Sequence, residues 1–143
     1  MAEIVLIDTN VWLDVINDDP VWYDWSAEQL DRVAHRGTPA VNVIIYAELS
    51  VRYERIEDFE GAIAAFAVER LSVPYEAGFL AAKAFQRYRQ QGGIKRNTLP
   101  DFFIGAHAAV AGLKLITRDA KRYREYFPKL KLVAPDTATS KRA

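Results

Sequence analysis

The stretch Glu3-Ile4-Val5-Leu6-Ile7-Asp8-Thr9-Asn10-Val11-Trp12-Leu13-Asp14-Val15-Ile16 decides how the rest of the chain is read. Ile4 to Ile7 is a continuous apolar run rich in β-branched side chains, the pattern of a strand covered on both faces, and it points to a parallel sheet. The run stops at Asp8, after which Val11 to Ile16 reads as a helix with Thr9 or Asn10 as its N-cap. Since either of those residues can cap, Asp8 is expected to point from the strand end toward a ligand. Asn17-Asp18-Asp19-Pro20 closes the unit with turn chemistry.

Outward from this unit, strands and helices alternate. The pattern predicts a helix over 22–35 stopping near Gly37, a short strand over 39–42, and a helix over 43–55. Phe59, Ile63, Phe66 and Ala67 recur at helical intervals and predict a helix over 57–69, with a weak strand at 71–74. A helix over 75–91 ends at Gly92-Gly93, and residues 94–98 form a basic loop. Pro100 suits the first turn of a helix over 100–111, which Gly112 ends before strands at 113–117 and 130–133. This alternation predicts an α/β sandwich with a mostly parallel sheet, in which sites gather at the carboxyl ends of strands. Residues 1–135 are expected to form one domain and 136–143, lacking apolar anchors, a flexible tail.

Composition narrows the chemistry. The chain has 143 residues, with Lys plus Arg and Asp plus Glu each totalling 19, so no net charge draws it to nucleic acid or an anionic membrane. There is no cysteine, which excludes disulfides, thiolate zinc sites and cysteine nucleophiles. No apolar run is long enough to span a membrane and the first residues lack a basic secretion signal, so a soluble, cytoplasmic protein without a membrane partner is expected.

Four acids stand where an acid is costly or oddly placed: Asp8 and Asp119 after apolar strands, Glu48 and Asp101 among apolar residues of helices. Each has an ordinary alternative. Asp8 and Asp119 could be cap or turn residues, Asp101 could answer a helix dipole, and Glu48 could pair with Arg52 one turn on. Yet Glu48 lies one turn from Ile44 and Ile45, near the apolar face, where a carboxylate needs a cation or several hydrogen bonds. Asp101, Gly105, Ala108, Ala109 and Gly112 share one side of their helix, a small-residue face expected to approach a strand closely. If the fold gathers the four acids, they make a divalent-cation site. His35 and His107 have no metal-spaced partner and are read as structural or surface groups.

Taken in order, these segments resemble the PIN-domain ribonucleases, and especially the VapC toxins of type II toxin-antitoxin modules. Asp8-Thr9-Asn10 matches the opening acidic motif and Glu48 the helical glutamate. Asp101-Phe102-Phe103-Ile104-Gly105-Ala106 matches the third acid with its small-residue follow-on, and Thr117-Arg118-Asp119 the closing motif. The resemblance spans nearly the whole chain. It implies a three-layer α/β/α sandwich, a carboxylate cluster holding Mg2+ or Mn2+, cleavage of RNA, homodimerisation, and a cognate antitoxin that occupies the site.

On that footing the expected activity is metal-dependent endoribonucleolytic hydrolysis. Asp8 and Asp101 are the leading metal ligands and Asp119 the next, with Glu48 binding a second ion or orienting water. Thr9, Asn10 and Thr117 are expected to orient ligands. Lys95, Arg96, Arg118, Lys121 and Arg122, with Arg87, Arg89 and Arg124 nearby, are read as sources of phosphate contacts. Trp22, Tyr23 and Trp25 could be core or an exposed groove for a partner. Haloacid-dehalogenase chemistry would need an aspartate where Asn10 stands, and a phospho-receiver a lysine where Arg118 follows Thr117. The alternative of a different class is a non-catalytic scaffold or RNA-binding module on the same fold.

Overall fold

The computed structural model describes residues 3–94 and 98–135. Along the chain run β1 (Glu3–Ile7), α1 (Thr9–Ile16), α2 (Tyr23–Arg36), β2 (Gly37–Asn42), α3 (Val43–Ser50) and α4 (Ile56–Ala64). There follow β3 (Glu69–Leu71), α5 (Tyr75–Gln90), α6 (Leu99–Ala111), β4 (Lys114–Ile116), α7 (Lys121–Tyr126) and β5 (Leu132–Val133). The strands form one five-stranded sheet in the order β3-β2-β1-β4-β5, and every pairing is parallel. With helices covering it, this is the three-layer α/β/α sandwich expected.

β1 is the central strand, and Val5, Leu6 and Ile7 are buried, as a strand covered on both faces requires. The chain builds from β1 through β2 to β3, then returns to the other side of β1 to lay down β4 and β5. That reversal opens a crevice at the carboxyl ends of β1 and β4, the position at which such sheets bind ligands. The Asp8 amide donates to the Ile116 carbonyl at 2.9 Å, tying the two strand ends together. α2 and α3 pack on β2, α6 on β4, and α5 against α6.

One glycine fixes an approach. Gly37 faces Glu3 in the β1–β2 register, and a Cβ there would lie 2.1 Å from the Glu3 carbonyl oxygen. Only glycine lets α2 pass directly into β2.

Several boundaries differ from those the spacing predicts: β2 begins two residues early at Gly37, β3 covers 69–71 rather than 71–74, and β5 is confined to 132–133. α3 stops at Ser50 rather than 55 because Arg52 and Tyr53 bond back three residues, to Leu49 and Ser50, and the Ser50 hydroxyl donates to the Tyr46 carbonyl. α4 ends at Ala64, and Ala67 takes a positive φ of 51°, so Glu69 lies in β3 and not in a helix. Phe66 keeps its helical spacing but serves from the turn, packing edge-on to Trp12 with ring centroids 5.2 Å apart. α1 also begins early, at Thr9, two residues before the expected start. Among the described residues no helix is long and apolar enough to cross a membrane. The tail expected over 136–143 lies outside the described residues.

Candidate active site

Asp8 follows β1 and is itself the N-cap of α1, correcting the expectation that Thr9 or Asn10 would cap and leave it free. Its two oxygens have different partners. Oδ1 accepts from the Thr9 amide at 2.7 Å, while Oδ2 accepts from the Thr117 hydroxyl at 2.8 Å and the Tyr123 phenol at 2.9 Å. The parallel register aligns Ile7 with Ile116, which brings Thr117 alongside Asp8 one residue later. The Thr117 hydroxyl also accepts from the Asn10 amide group at 3.3 Å and from the Asp119 backbone N–H at 3.1 Å. Asn10 Oδ1 in turn accepts from the Arg118 amide at 3.2 Å.

Glu48 arrives from α3, whose start is capped by Asn42 accepting from the Ile45 amide at 3.0 Å. Its Oε1 accepts from the Thr9 hydroxyl at 2.6 Å, so Thr9 bridges α1 to the helical glutamate, and no ion pair with Arg52 forms among the described residues. Asp101 lies in the first turn of α6 and accepts from Arg122 Nη1 of α7 at 2.9 Å. All four acids line one cavity of about 210 Å³, together with Thr9, Asn10, Arg122 and Tyr123. The structure therefore gathers the four acids of the opening reading.

At Gly105 the small-residue face of α6 meets aromatic rings. A Cβ on Gly105 would lie 2.6 Å from the Phe127 ring and 3.0 Å from Tyr123. The bare backbone admits the aromatic rings of α7 and its end, and thereby sets the Tyr123 phenol against Asp8. Ala109 and Gly112 of the same row are exposed.

Electrostatics follow from this crowding. Burial first, and then the neighbouring Asp101 charge, push the Asp8 carboxyl from 3.8 up to about 7, against the hydrogen bonds from Thr117, Tyr123 and Thr9. Asp101 is pushed up to about 6, again chiefly by burial; Arg122 opposes the rise and the Glu48 and Asp119 charges add to it. Burial and the same negative surroundings raise the Tyr123 phenol well above its usual range, which keeps it a donor. His107 stands apart from the acids. It is buried, its pKa is lowered by burial, and Nδ1 lies 3.0 Å from Asn42 Nδ2. Because Asn42 Oδ1 is committed to Ile45, the amide donates and the imidazole is neutral.

Among the described residues no three Asp, Glu, His or Cys side chains already stand as a ready-made metal cage. Protein donors engage both oxygens of Asp8 and one oxygen each of Glu48 and Asp101. The donor set still suits a hard divalent cation, since every acid supplies oxygen and the two deepest carboxylates resist ionising without a counter-charge.

The basic residues divide. Arg118 is committed to Asp14, with Nε 2.8 Å from Oδ2 and Nη2 3.0 Å from Oδ1, and its guanidinium lies 5.5 Å from the Trp22 ring centroid. This fork ties the β4–α7 connection to α1 and leaves the Arg118 side chain 31% exposed. Arg122 is at the site, Lys121 is exposed beside it, and Lys95 and Arg96 lie outside the described residues. Trp22 and Trp25 are half-buried and meet edge-on, whereas Tyr23 is exposed. Sequence reasoning missed Tyr123 and Asp14. An acid inside Val11-Trp12-Leu13-Asp14-Val15-Ile16 carried the same signal that singled out Glu48; a tyrosine in a short helix carried none.

A parallel α/β/α sandwich with an acidic pocket over the switch point of its central strands defines the class. The chain belongs to the PIN domain family, whose model matches residues 5–127. Among solved structures it is similar to VapBC2 from Rickettsia felis bound to a DNA fragment from their promoter, at 25% identity and a TM-score of 0.71, covering 93% of this chain and 99% of that one. VapBC-1 from nontypeable Haemophilus influenzae shares the fold at 22% identity and a TM-score of 0.69, covering 92% and 97%. FitAcB from Neisseria gonorrhoeae does so at 19% identity and a TM-score of 0.66, covering 90% and 95%. None of the curated proteins compared matches this sequence.

Proposed function

We propose that this chain is a metal-dependent endoribonuclease and the toxin of a type II toxin-antitoxin module. The observation that carries the proposal is the convergence of Asp8, Glu48, Asp101 and Asp119, from four separate segments, on one cavity. Asp8 and Asp101 would hold Mg2+ or Mn2+, with Asp119 a third ligand and Glu48 serving a second ion or orienting water. Bound there, the ion supplies a Lewis acid that activates water and neutralises charge growing on the phosphate.

The chain's own groups hold the reactive geometry. Thr117 and Tyr123 fix one oxygen of Asp8, and the Thr9 amide fixes the other. Thr9 aims Glu48, and Asn10 braces Thr117 from α1. Arg122 and Lys121 supply positive charge beside the acids for an incoming phosphodiester. Likeness to VapBC2 supports a cognate antitoxin as a partner. The resting assembly would be a homodimer.

The test is incubation of purified protein with total RNA and Mg2+ or Mn2+, beside Asp8→Asn and Asp101→Asn. Cleavage by the wild type alone is expected. Equal cleavage by all three would mark a contaminant and favour the non-catalytic scaffold.

A further inference from the structure

Arg122 occupies an unusual place. Its guanidinium donates a single hydrogen bond to Asp101 Oδ2 at 2.9 Å and lies 5.4 Å from the centroid of the Tyr88 ring. Among the described residues these are its polar and ring contacts, so most of its N–H groups have no protein acceptor. Tyr88 is a fixed platform, packed against Phe85, Phe102 and Tyr126. Asp119 and Arg122 also line a second cavity of about 470 Å³, which Lys121, Gln91 and Tyr88 share. Arg122 thus stands on the partition between the acid pocket and a neighbouring groove, within reach of both.

We propose that Arg122 is a built-in counter-ion of the acid pocket that competes with the metal for Asp101 and, once displaced, grips an RNA phosphate in the neighbouring groove. This rests on the active-site reading above. The physical argument is one of charge. A guanidinium is always protonated, and a divalent cation arriving on the carboxylate it touches places like charges within a few ångströms in a partly dry pocket. The Arg122 side chain is 24% exposed and the Asp101 side chain 39%, so solvent screens the clash only in part. The guanidinium then swings on the Tyr88 ring toward the groove, where a planar fork suits a phosphate. Metal and RNA consequently assist each other: each favours the state in which Arg122 has left Asp101, and the linkage must be reciprocal.

Calorimetric titration with Mn2+ tests the first half on wild type, Arg122→Gln and Arg122→Lys. R122Q is expected to bind Mn2+ about fivefold or more tightly than wild type, the low end of ordinary coupling, and R122K to stay near wild type because it keeps the charge. Anisotropy with a phosphorothioate ten-nucleotide random RNA, with and without Ca2+, tests the second half. The wild type should bind this RNA several-fold more tightly with Ca2+, and R122Q should lose that gain. Should R122Q not fold, the guanidinium NMR signals of wild-type Arg122 under Mg2+ titration carry the test, and signals unmoved at saturation would overturn the proposal. Unchanged or weaker Mn2+ binding by R122Q would show that Arg122 merely steadies Asp101 and would overturn it as well. Wild type that binds no Mn2+ at all would instead sink the active-site reading beneath it.

Discussion

The Thr117 hydroxyl serves three partners at once. It donates to Asp8 and accepts from Asn10 and from the Asp119 amide, so it sets the orientation of one acid and the backbone of another. Thr117→Val keeps the shape and removes all three bonds. Loss of such an outer partner typically lowers metal affinity or activity by about 10–100-fold, and that fall is expected here in an Mn2+ titration. Tyr123→Phe removes only the phenol O–H, and a smaller loss in the same titration is expected; if both variants bind Mn2+ as the wild type does, these donors do not organise the site. The four acids were legible because a carboxylate among apolar neighbours is costly and needs a reason. Tyr123 was not, because an aromatic residue in a helix reads as core until the fold turns its hydroxyl toward a charge.

At the scale of elements, α1, α2 and the β4–α7 connection are joined through Asp14. Its side chain is 2% exposed and accepts from Ser26 at 2.7 Å as well as from the Arg118 fork. The two partners are unequally placed, since the Arg118 side chain is 31% exposed. Arg118→Met therefore leaves a buried carboxylate with one hydroxyl partner, at a cost of about 3 kcal/mol, whereas Asp14→Asn leaves an arginine that water can reach, at about 1 kcal/mol. Urea unfolding of both variants checks the order; a larger loss for Asp14→Asn would reverse the argument. Gly105→Ala is expected to cost about 1–3 kcal/mol, because the new methyl must push the buried Phe127 ring aside. The elements themselves were largely readable, β1, α5 and α6 most closely, since apolar period and Pro or Gly punctuation agree there. The ends of α3 and α4 were not. Apolar spacing runs on through 66, while the chain breaks through backbone turns and a positive φ at Ala67 that no residue type announces.

For the whole molecule, the acid pocket makes stability depend on pH and cation together. Asp8 at about 7 and Asp101 at about 6 both lie above the ordinary 3.8, so the metal-free fold holds protons that the unfolded chain has released. Where the folded state binds more protons, stability falls as pH rises. Metal-free protein should therefore lose stability from about pH 4 to about pH 7 and level off above it, by a few kcal/mol that come mostly from the more deeply buried Asp8. His107 works in the opposite sense. Its pKa is lowered from 6.5, so its contribution is complete above that value and is lost as pH falls, which blunts the acid side of the curve. Asp8→Asn isolates the carboxylate term: an amide in its place should raise the metal-free melting temperature at pH 8 and flatten the decline. Saturating Mn2+ should do for the wild type at pH 8 what the substitution does without metal, because the ion stabilises the ionised pair only in the folded state. Differential scanning calorimetry of wild type and D8N at pH 5 and pH 8, with and without Mn2+, holds all four terms. A wild-type melting temperature that rises with pH in chelator, or that ignores Mn2+ at pH 8, would mean that the four acids do not act as one coupled site.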